Sequence, residues 1–535
     1  RARGEAPRFV ELRTESDSGR SGSLQLTPTV GGEWVGRFRN VREGFVFHAH
    51  DGDPNDDGRE IAVEVFTPPG VASIASELTF PTYTGLAPRR EERGDVEAPV
   101  GTSVRLEIAT SGAVTAGRIE FDDGAPPAAL TPVEASAGVW SGGFEVVESL
   151  SYTVQLEAEN GFRNLDPVTY AVIAVKDRAP TVRVLEPARA HVEVTAEGIV
   201  PFRVVVDDDY GIGAVDLSMN AYGVEATRTT DLRGDAGPEA SERRRIVYSH
   251  LDLPGTTFQH EDGARVPQVG DSYTYALRVT DNRASADGPN ETAVEDRRVD
   301  VVSQNEKMRL LTERQIRMKD EVQQLRELQA EKVERLTQIL TDYEATEGDV
   351  SPEADELAAA EIGQAQITNR ATRLCRDFTD VYEDYLLNRI DRTAAAERLI
   401  PLLLERKRGS SQIDGFDFGV YRPIVEAYRS GAYGKLDVLG RLLEMVSCIL
   451  DVAELHSPQA GVAVGDARLE VDPTDRPEGI RRAIEHQKAV LLQLDALLER
   501  MDEWEDFQEI LTLFRDLLED QRDLNSRTRD TMRSR

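Results

Sequence analysis

Chemistry in this chain would begin at its acidic turns. Asp51-Gly52-Asp53-Pro54-Asn55-Asp56-Asp57-Gly58-Arg59-Glu60 sets oxygen-bearing side chains at alternating positions. Asp51, Asp53, Asn55 and Asp57 make it a candidate calcium loop, because a hard cation takes several carboxylate and amide oxygens. Its glycine falls later than the helix-loop-helix calcium motif requires and its flanks read as strands, so a plain acidic hairpin is favoured. Asp207-Asp208-Asp209-Tyr210-Gly211, with Asp281, forms a second acidic group. Asp207 and Asp209 are its calcium candidates, since loops at one end of a sandwich can converge. Asp and Gly also shape turns without any ion, and that reading is favoured here. His48 and His50 are the one close pair among seven histidines. Alternation sets both on one strand face near Asp51 and Asp53. A solvent-facing pair is favoured there over a metal site.

Larger catalytic signatures are missing from the sequence. It holds no His-Glu-x-x-His zinc helix, no Gly-x-Ser-x-Gly elbow and no phosphate loop; Gly211-Ile212-Gly213 is too short to cradle phosphate. The expectation is a protein that is not an enzyme and uses no cofactor, calcium excepted. A hydrolase with residues scattered in sequence would need a pocket that gathers a His with acidic or Ser partners.

Composition narrows the partners. At 535 residues the chain has room for about three to five domains. Its hydrophobic fraction of 40% and charged fraction of 30% describe globular domains rather than disorder. A formal net charge of −34 repels phosphate, which argues against nucleic acid and against an anionic membrane face. No run of about 18 apolar residues exists to span a bilayer. Because the sequence begins at Arg1, any membrane attachment is expected from a segment upstream of it. Cys375 and Cys448 both fall in the helical half. They could pair in an oxidising compartment, but two buried apolar thiols are favoured.

The elements that would position these residues change character midway. Residues 1–70 alternate in short runs, Phe9-Val10-Glu11-Leu12, Leu24-Gln25-Leu26, Trp34 to Phe38, Phe45-Val46-Phe47 and Ile61 to Val65, between Gly- and Asp-rich turns. That spacing suggests a β-sandwich. Residues 71–178 repeat the scheme: Leu26-Thr27-Pro28 before Trp34 and Phe38 is echoed by Leu130-Thr131-Pro132 before Trp140 and Phe144. Residues 179–302 form the third unit, whose Tyr273, Tyr275, Leu277 and Val279 run into Asp281-Asn282 as Tyr152, Val154 and Leu156 run into Glu159-Asn160-Gly161. Alternate residues share a face, so each set lines one core. Gly223 to Arg245 reads as a long mobile loop.

At Ser303 the apolar period changes from two to about 3.6. Ser303-Gln304-Asn305-Glu306 is a capping-box pattern. Met308, Leu311, Met318, Val322, Leu325, Leu336 and Tyr343 follow at helical spacing until Gly348. Ser351-Pro352-Glu353 opens a second helix to about Asn388, and a shorter one covers Ala394 to Arg406, kinked or divided at Pro401. Helical pattern returns from Tyr421 to Tyr428 and from Leu436 to Leu455, while Ser457 to Pro473 reads as an irregular connector. The closing helix starts near Asp475-Arg476-Pro477 and reaches about Thr528, with an apolar stripe that seeks a partner helix. Three-residue steps at Met501, Trp504 and Phe507 break its heptad phase and predict a bend or a shift in packing there.

Certain motifs carry a resemblance. Phe80-Pro81-Thr82-Tyr83-Thr84-Gly85-Leu86, then Ala98-Pro99-Val100-Gly101-Thr102-Ser103-Val104, and Asp207 through Ile212, accompany helices that carry Gln364, Gln487 and Gln521. Together they resemble large bacterial membrane proteins of unknown function, notably from planctomycetes. In that family, transmembrane helices precede immunoglobulin-like repeats and a long coiled-coil region, often encoded beside MoxR-type ATPases and von Willebrand A-domain proteins. The resemblance covers most of the chain. It implies a cell-envelope protein at the periplasmic or extracellular face, and it assigns no functional residues.

The expected fold class is therefore multidomain, β then α: tandem immunoglobulin-like β-sandwiches, then a long-helix coiled-coil or bundle region over 303–535. The expected function is a non-enzymatic extracytoplasmic scaffold, with protein partners or self-association through those helices. The alternative is an adhesin or sensor that recognises a glycan or peptide through sandwich loops, with calcium. Both expectations keep sandwiches and helices as separate parts, with no charged groups meeting inside a cleft.

Overall fold

The computed structural model describes residues 9–50, 59–225, 227–232, 242–284, 288–345, 353–434, 436–470, 472 and 475–533. The chain divides into two compact units, Arg1–Asp177 and Arg178–Arg535.

Within the first unit, Glu11–Ser16 pairs antiparallel with Ser21–Gln25 and with Phe45–His50, which in turn pairs with Ile61–Val63. A hairpin of Thr27–Pro28 and Trp34–Val35 accompanies this four-stranded sheet. Phe38 meets Phe45 and Phe47 at centroid distances of 4.8 and 5.6 Å. The core there is thin, resting on buried Val10 and Phe45.

From Gly70 onward the same unit holds a two-sheet sandwich. One sheet runs Thr131–Pro132, Val139–Glu145, Ser103–Ser111, Gly70–Thr79, Arg89–Glu91; the other runs Ala128–Ala129, Ala116–Phe121, Leu150–Glu157, Thr169–Val175, Val96–Pro99. Alternation does the work. Val104, Leu106 and Ile108 point inward from one sheet and Tyr152, Val154 and Leu156 from the other. Gly85 and Gly101 take φ of 63° and 86°, values open to glycine, which is why both turn motifs need it.

The third strand unit is again a sandwich. Thr181–Glu186, Ile199–Asp207 and Arg244–Asp252 form one sheet. His191–Thr195, Glu291–Val302, Ser272–Asp281, Ile212–Ala221 and Arg228–Asp231 form the other. Its core gathers Phe202, Val204, Leu217, Tyr273, Tyr275 and Leu277. The predicted loop from Gly223 to Arg245 needs correction. Arg228–Asp231 is a strand paired with Ile212–Ala221, and residues 226 and 233–241 lie outside the described residues.

Helices α1 (Gln304–Ala345), α2 (Glu353–Leu387), α3 (Ala394–Gly409) and α4 (Phe418–Arg429) follow. Next come α5 (Val438–Leu450), a π-helical turn (Asp451–His456), α6 (Ser457–Leu469) and α7 (Arg476–Arg533). Ser303 caps α1 through Oγ, which accepts the Glu306 amide at 3.1 Å. The Glu306 carboxylate turns instead to Arg309. Cross-pairs show antiparallel packing: Lys319 with Asp502, Arg326 with Asp495, Arg335 with Glu356 and Arg468 with Glu361. Thus α1, α2, the α5–α6 column and α7 form an up-down-up-down bundle, with α3 and α4 inserted.

One helical expectation fails. Ser457 to Pro473 is not an irregular connector, because Ser457–Leu469 is helix α6. Its Gly and Ala residues weaken the sequence signal yet admit close packing. A Cβ on Gly479 of α7 would stand 3.2 Å from Ala467 of α6. At Trp504, α7 runs on as helix, and the phase change delivers the Trp504 indole N–H to Gln315 Oε1 at 2.8 Å.

Buried amides fix the register of the bundle. Gln364 on α2 exchanges hydrogen bonds with Gln329 on α1, donates to Ser457 Oγ at 2.9 Å and accepts from Gln487 Nε2 at 3.0 Å. All four residues are fully buried, so a slip of any helix would strand polar atoms in the core. Gln364→Leu is expected to lower the stability of the helical unfolding transition by about 2–3 kcal/mol. Urea unfolding of the full chain followed at 222 nm measures this, and a change below about 0.5 kcal/mol would remove the register role.

Candidate functional site

The calcium candidates Asp51, Asp53, Asn55 and Asp57 lie outside the described residues. Asp207 is held by Arg244. Beside it, Asp208 Oδ1 accepts the amides of Tyr210 at 2.9 Å and Gly211 at 2.6 Å. Asp281 Oδ1 accepts the amides of Arg283 and Asn290 at 3.1 and 3.0 Å. These are turn-shaping bonds. Asp208 Oδ2 and Asp209 Oδ1 are buried without a protein partner, and burial raises the Asp208 pKa above the usual carboxylate range. Among the described residues, no group of three or more His, Cys, Asp or Glu side chains is placed to hold a metal ion. His48 is exposed and His50 half-buried on the strand Phe45–His50. Cys375 and Cys448 are buried free thiols; Cys375 donates to the Ile449 carbonyl, and burial pushes its pKa up.

Charge does gather elsewhere, contrary to the expected separation of sandwich and helices. The third sandwich and the bundle share one compact unit, and Ile199 of the sandwich belongs to the helical core. At their junction Lys407 of α3, only 5% exposed, bonds Glu383 of α2 at 2.6 Å and Glu186 of the strand Thr181–Glu186 at 3.0 Å. Tyr421 of α4 donates its hydroxyl to the other Glu383 oxygen at 2.5 Å. Tyr248 of the strand Arg244–Asp252 completes the surroundings. Further bonds brace the junction. Arg203 donates to the Ser410 and Gln412 carbonyls at 2.9 and 2.6 Å. Asn388 accepts the Thr195 amide at 2.8 Å and Lys307 donates to the Glu193 carbonyl at 2.8 Å.

A polar cavity of about 550 Å³ lies here, lined by Glu186, Arg203, Asp380, Glu383 and Lys407 among others. Its chemistry is constrained by pairing. Two carboxylates hold Lys407 as an ammonium, with its pKa raised well above the usual lysine range. An ammonium has no lone pair for nucleophilic attack. Among the described residues no serine or cysteine lines the cavity, and Thr379 spends its hydroxyl on the Cys375 carbonyl at 2.8 Å. His191, also on the lining, bonds Asp300 at 2.6 Å. A His–Asp pair without a neighbouring nucleophile does not assemble acyl-transfer chemistry. The arrangement fastens sandwich to helices.

Sequence reasoning missed this cluster, though one signal was present. Leu399, Ile400, Leu403, Leu404 and Lys407 share the buried face of α3, so a lysine occupies a core position. Its partners lie 24 residues away at Glu383 and further still at Glu186. Without the fold, nothing connects them.

Two facing sheets in each complete strand unit, with an early strand parallel to the last, define tandem immunoglobulin-like β-sandwiches followed by a helical region. No protein-family model and no curated protein matches the chain. Solved structures with similarity to it include tandem immunoglobulin domains. One is Dpr2 Ig1-Ig2 in complex with DIP-Theta Ig1-Ig3, at 10% identity over 55% of this chain and 90% of that chain, TM-score 0.17. Titin domains A168-A170 match at 15% identity over 54% and 86%, TM-score 0.17. Titin A164-A165 matches at 11% identity over 44% and 96%, TM-score 0.14.

Desolvation pushes the Glu383 pKa up from 4.5 to about 7. Between those two values the folded protein holds a proton that the unfolded chain releases. Stability therefore falls as pH rises through that window. Thermal melts of the full chain from pH 4.5 to 7 are expected to show this decline in the transition of residues 178–535. Glu383→Gln, which stays neutral throughout, is expected to flatten it. An unchanged slope in the variant would place the pH dependence elsewhere.

Proposed function

We propose that this chain is a non-enzymatic, extracytoplasmic scaffold of the bacterial cell envelope that assembles through its helical region. Attachment to the membrane would come through a segment outside this chain. None of the described helices is long and apolar enough to cross a membrane. One observation carries the assembly reading. Past Phe507, which still packs on the bundle core, α7 presents Ile510, Leu513 and Leu517 at 51%, 63% and 64% exposure. Three large apolar side chains at three- and four-residue steps form a helix face that water does not favour. The antiparallel partner α1 begins at Gln304, and its last described cross-bond to α7 joins Thr312 to Gln508 at 2.9 Å. A second copy of the same stripe is the self-complementary cover. Envelope location and the anchor rest on the resemblance in the sequence.

Light scattering of the full chain at micromolar concentration is expected to give a dimer or larger species. Leu513→Glu combined with Leu517→Glu is expected to shift it to monomer while leaving the far-ultraviolet spectrum unchanged. A monomeric parent protein would overturn the assembly reading.

A second reading, a calcium-dependent binding module acting through sandwich loops, is favoured by the buried, unpartnered oxygens of Asp208 and Asp209. It predicts a melting temperature that rises with millimolar calcium and a rise that Asp209→Ala abolishes. Absence of any rise in the parent chain retires it.

A further inference from the structure

We infer that the helical bundle carries a binding site for a neutral, largely apolar small molecule with one hydrogen-bond acceptor, in the half-open cavity between α1, α2, α5 and α7. The cavity measures about 640 Å³, within the range of small-molecule sites. Met308, Met318, Met445, Met501, Phe378 and Trp504 supply its apolar wall. Unbranched thioethers and aromatic faces accommodate varied apolar shapes. Elsewhere the bundle closes tightly, as where α6 meets α7 at Gly479, so a void of this size is a local feature.

Charge at the rim selects against ions. Arg309 is held by Glu306 and Glu313, and Lys319 by Asp502 and Glu505 at 2.7 and 2.5 Å. These cations are matched, and Glu509 adds negative charge at the same rim. An anionic head group would displace an existing pair rather than fill a vacancy.

A buried amide supplies the polar preference. Gln315, 7% exposed, lines the cavity. Its Oε1 accepts from the Trp504 indole at 2.8 Å and from Gln508 Nε2 at 3.2 Å. An indole nitrogen only donates, so this contact fixes which end of the amide is oxygen. Gln508 is held in turn by Tyr385 at 2.8 Å and by the Thr312 hydroxyl at 2.9 Å, so the assignment does not rest on one contact. Gln315 Nε2 is left without a protein partner. A buried donor in that condition gains from any ligand acceptor that reaches it. A ketone or ester on an aliphatic or aromatic body has this chemistry. The site is separate from the exposed stripe of α7 and stands whether or not the chain self-associates.

Calorimetric titration of the full chain with 2-nonanone tests it. Saturable one-to-one binding is expected, with decanoate about tenfold weaker or more. Met445→Trp, which fills the cavity, is expected to abolish binding, and Leu442→Phe serves the same purpose should that variant melt early. Gln315→Met is expected to weaken 2-nonanone by about fivefold while leaving a matched alkene unaffected. No saturable binding by the parent protein, equal binding of decanoate, or full binding after the cavity is filled would each overturn the proposal.

Discussion

The second unit depends on one buried ammonium. Lys407 sits between Glu383 of the bundle and Glu186 of the sandwich, and neither neighbour could be buried as an ion without it. Desolvating three charges is costly, and hydrophobic replacements of similar volume are often as stable. What an ionic cluster adds is geometry. Lys407 has only three protons to donate, and they must find particular oxygens on two other elements. Replacing Lys407 with a neutral side chain would leave Glu186 and Glu383 with no counter-charge in the core, a loss of about 3–5 kcal/mol. The junction therefore has one low-energy arrangement, and the third sandwich is fixed against α2, α3 and α4 rather than hinged from them.

The same logic operates along the bundle. Its apolar stripes alone would tolerate several registers, since one leucine layer resembles the next. Gln329, Gln364 and Gln487 remove that freedom at one level and Gln315 with Gln508 at another. Both polar layers span three or more elements: the first reaches Ser457 of α6 and the second Tyr385 of α2. Beyond the first layer, small side chains on α6 bring α2 and α7 close, and around the second layer, beside Met308 and Met445, larger spacing opens a cavity. Tight and open regions are thus set by residue size, whereas alignment is set by amides.

Legibility in the sequence followed the range of the interactions. Strand alternation is local, so Val104, Leu106 and Ile108 announce an inward face without knowledge of the rest. Caps are local too, and Ser303 marks the start of α1 within one residue of Gln304. The helix α6 escaped because Gly461, Gly465 and neighbouring alanines carry no apolar contrast for a period to reveal. Glu383 and Lys407 escaped for a different reason. Charged residues on an amphipathic helix are ordinarily assigned to its solvent face, and although Lys407 falls on the apolar face of α3, only the fold shows which carboxylates meet it. The acidic turn at Asp207 to Gly211 was legible as turn chemistry, since the Asp208 bonds to Tyr210 and Gly211 span two and three residues.

The boundary between strand and helix at Ser303 is therefore a change of secondary structure and not of folding unit. Ile199 packs among helical side chains, and Tyr248 is partly buried against them. Thr195 donates to Asn388 through both its amide and its hydroxyl. A module that ended at Val302 would expose Ile199 and strand the Arg203 and Glu186 side chains, so the sandwich is complete only with its helices. That dependence runs both ways, because the first turn of α1 is anchored by Lys307 to the Glu193 carbonyl of the sandwich. Ile199 and Tyr248 of the sandwich pack on the helical core, and the Lys407 junction ties the two parts together.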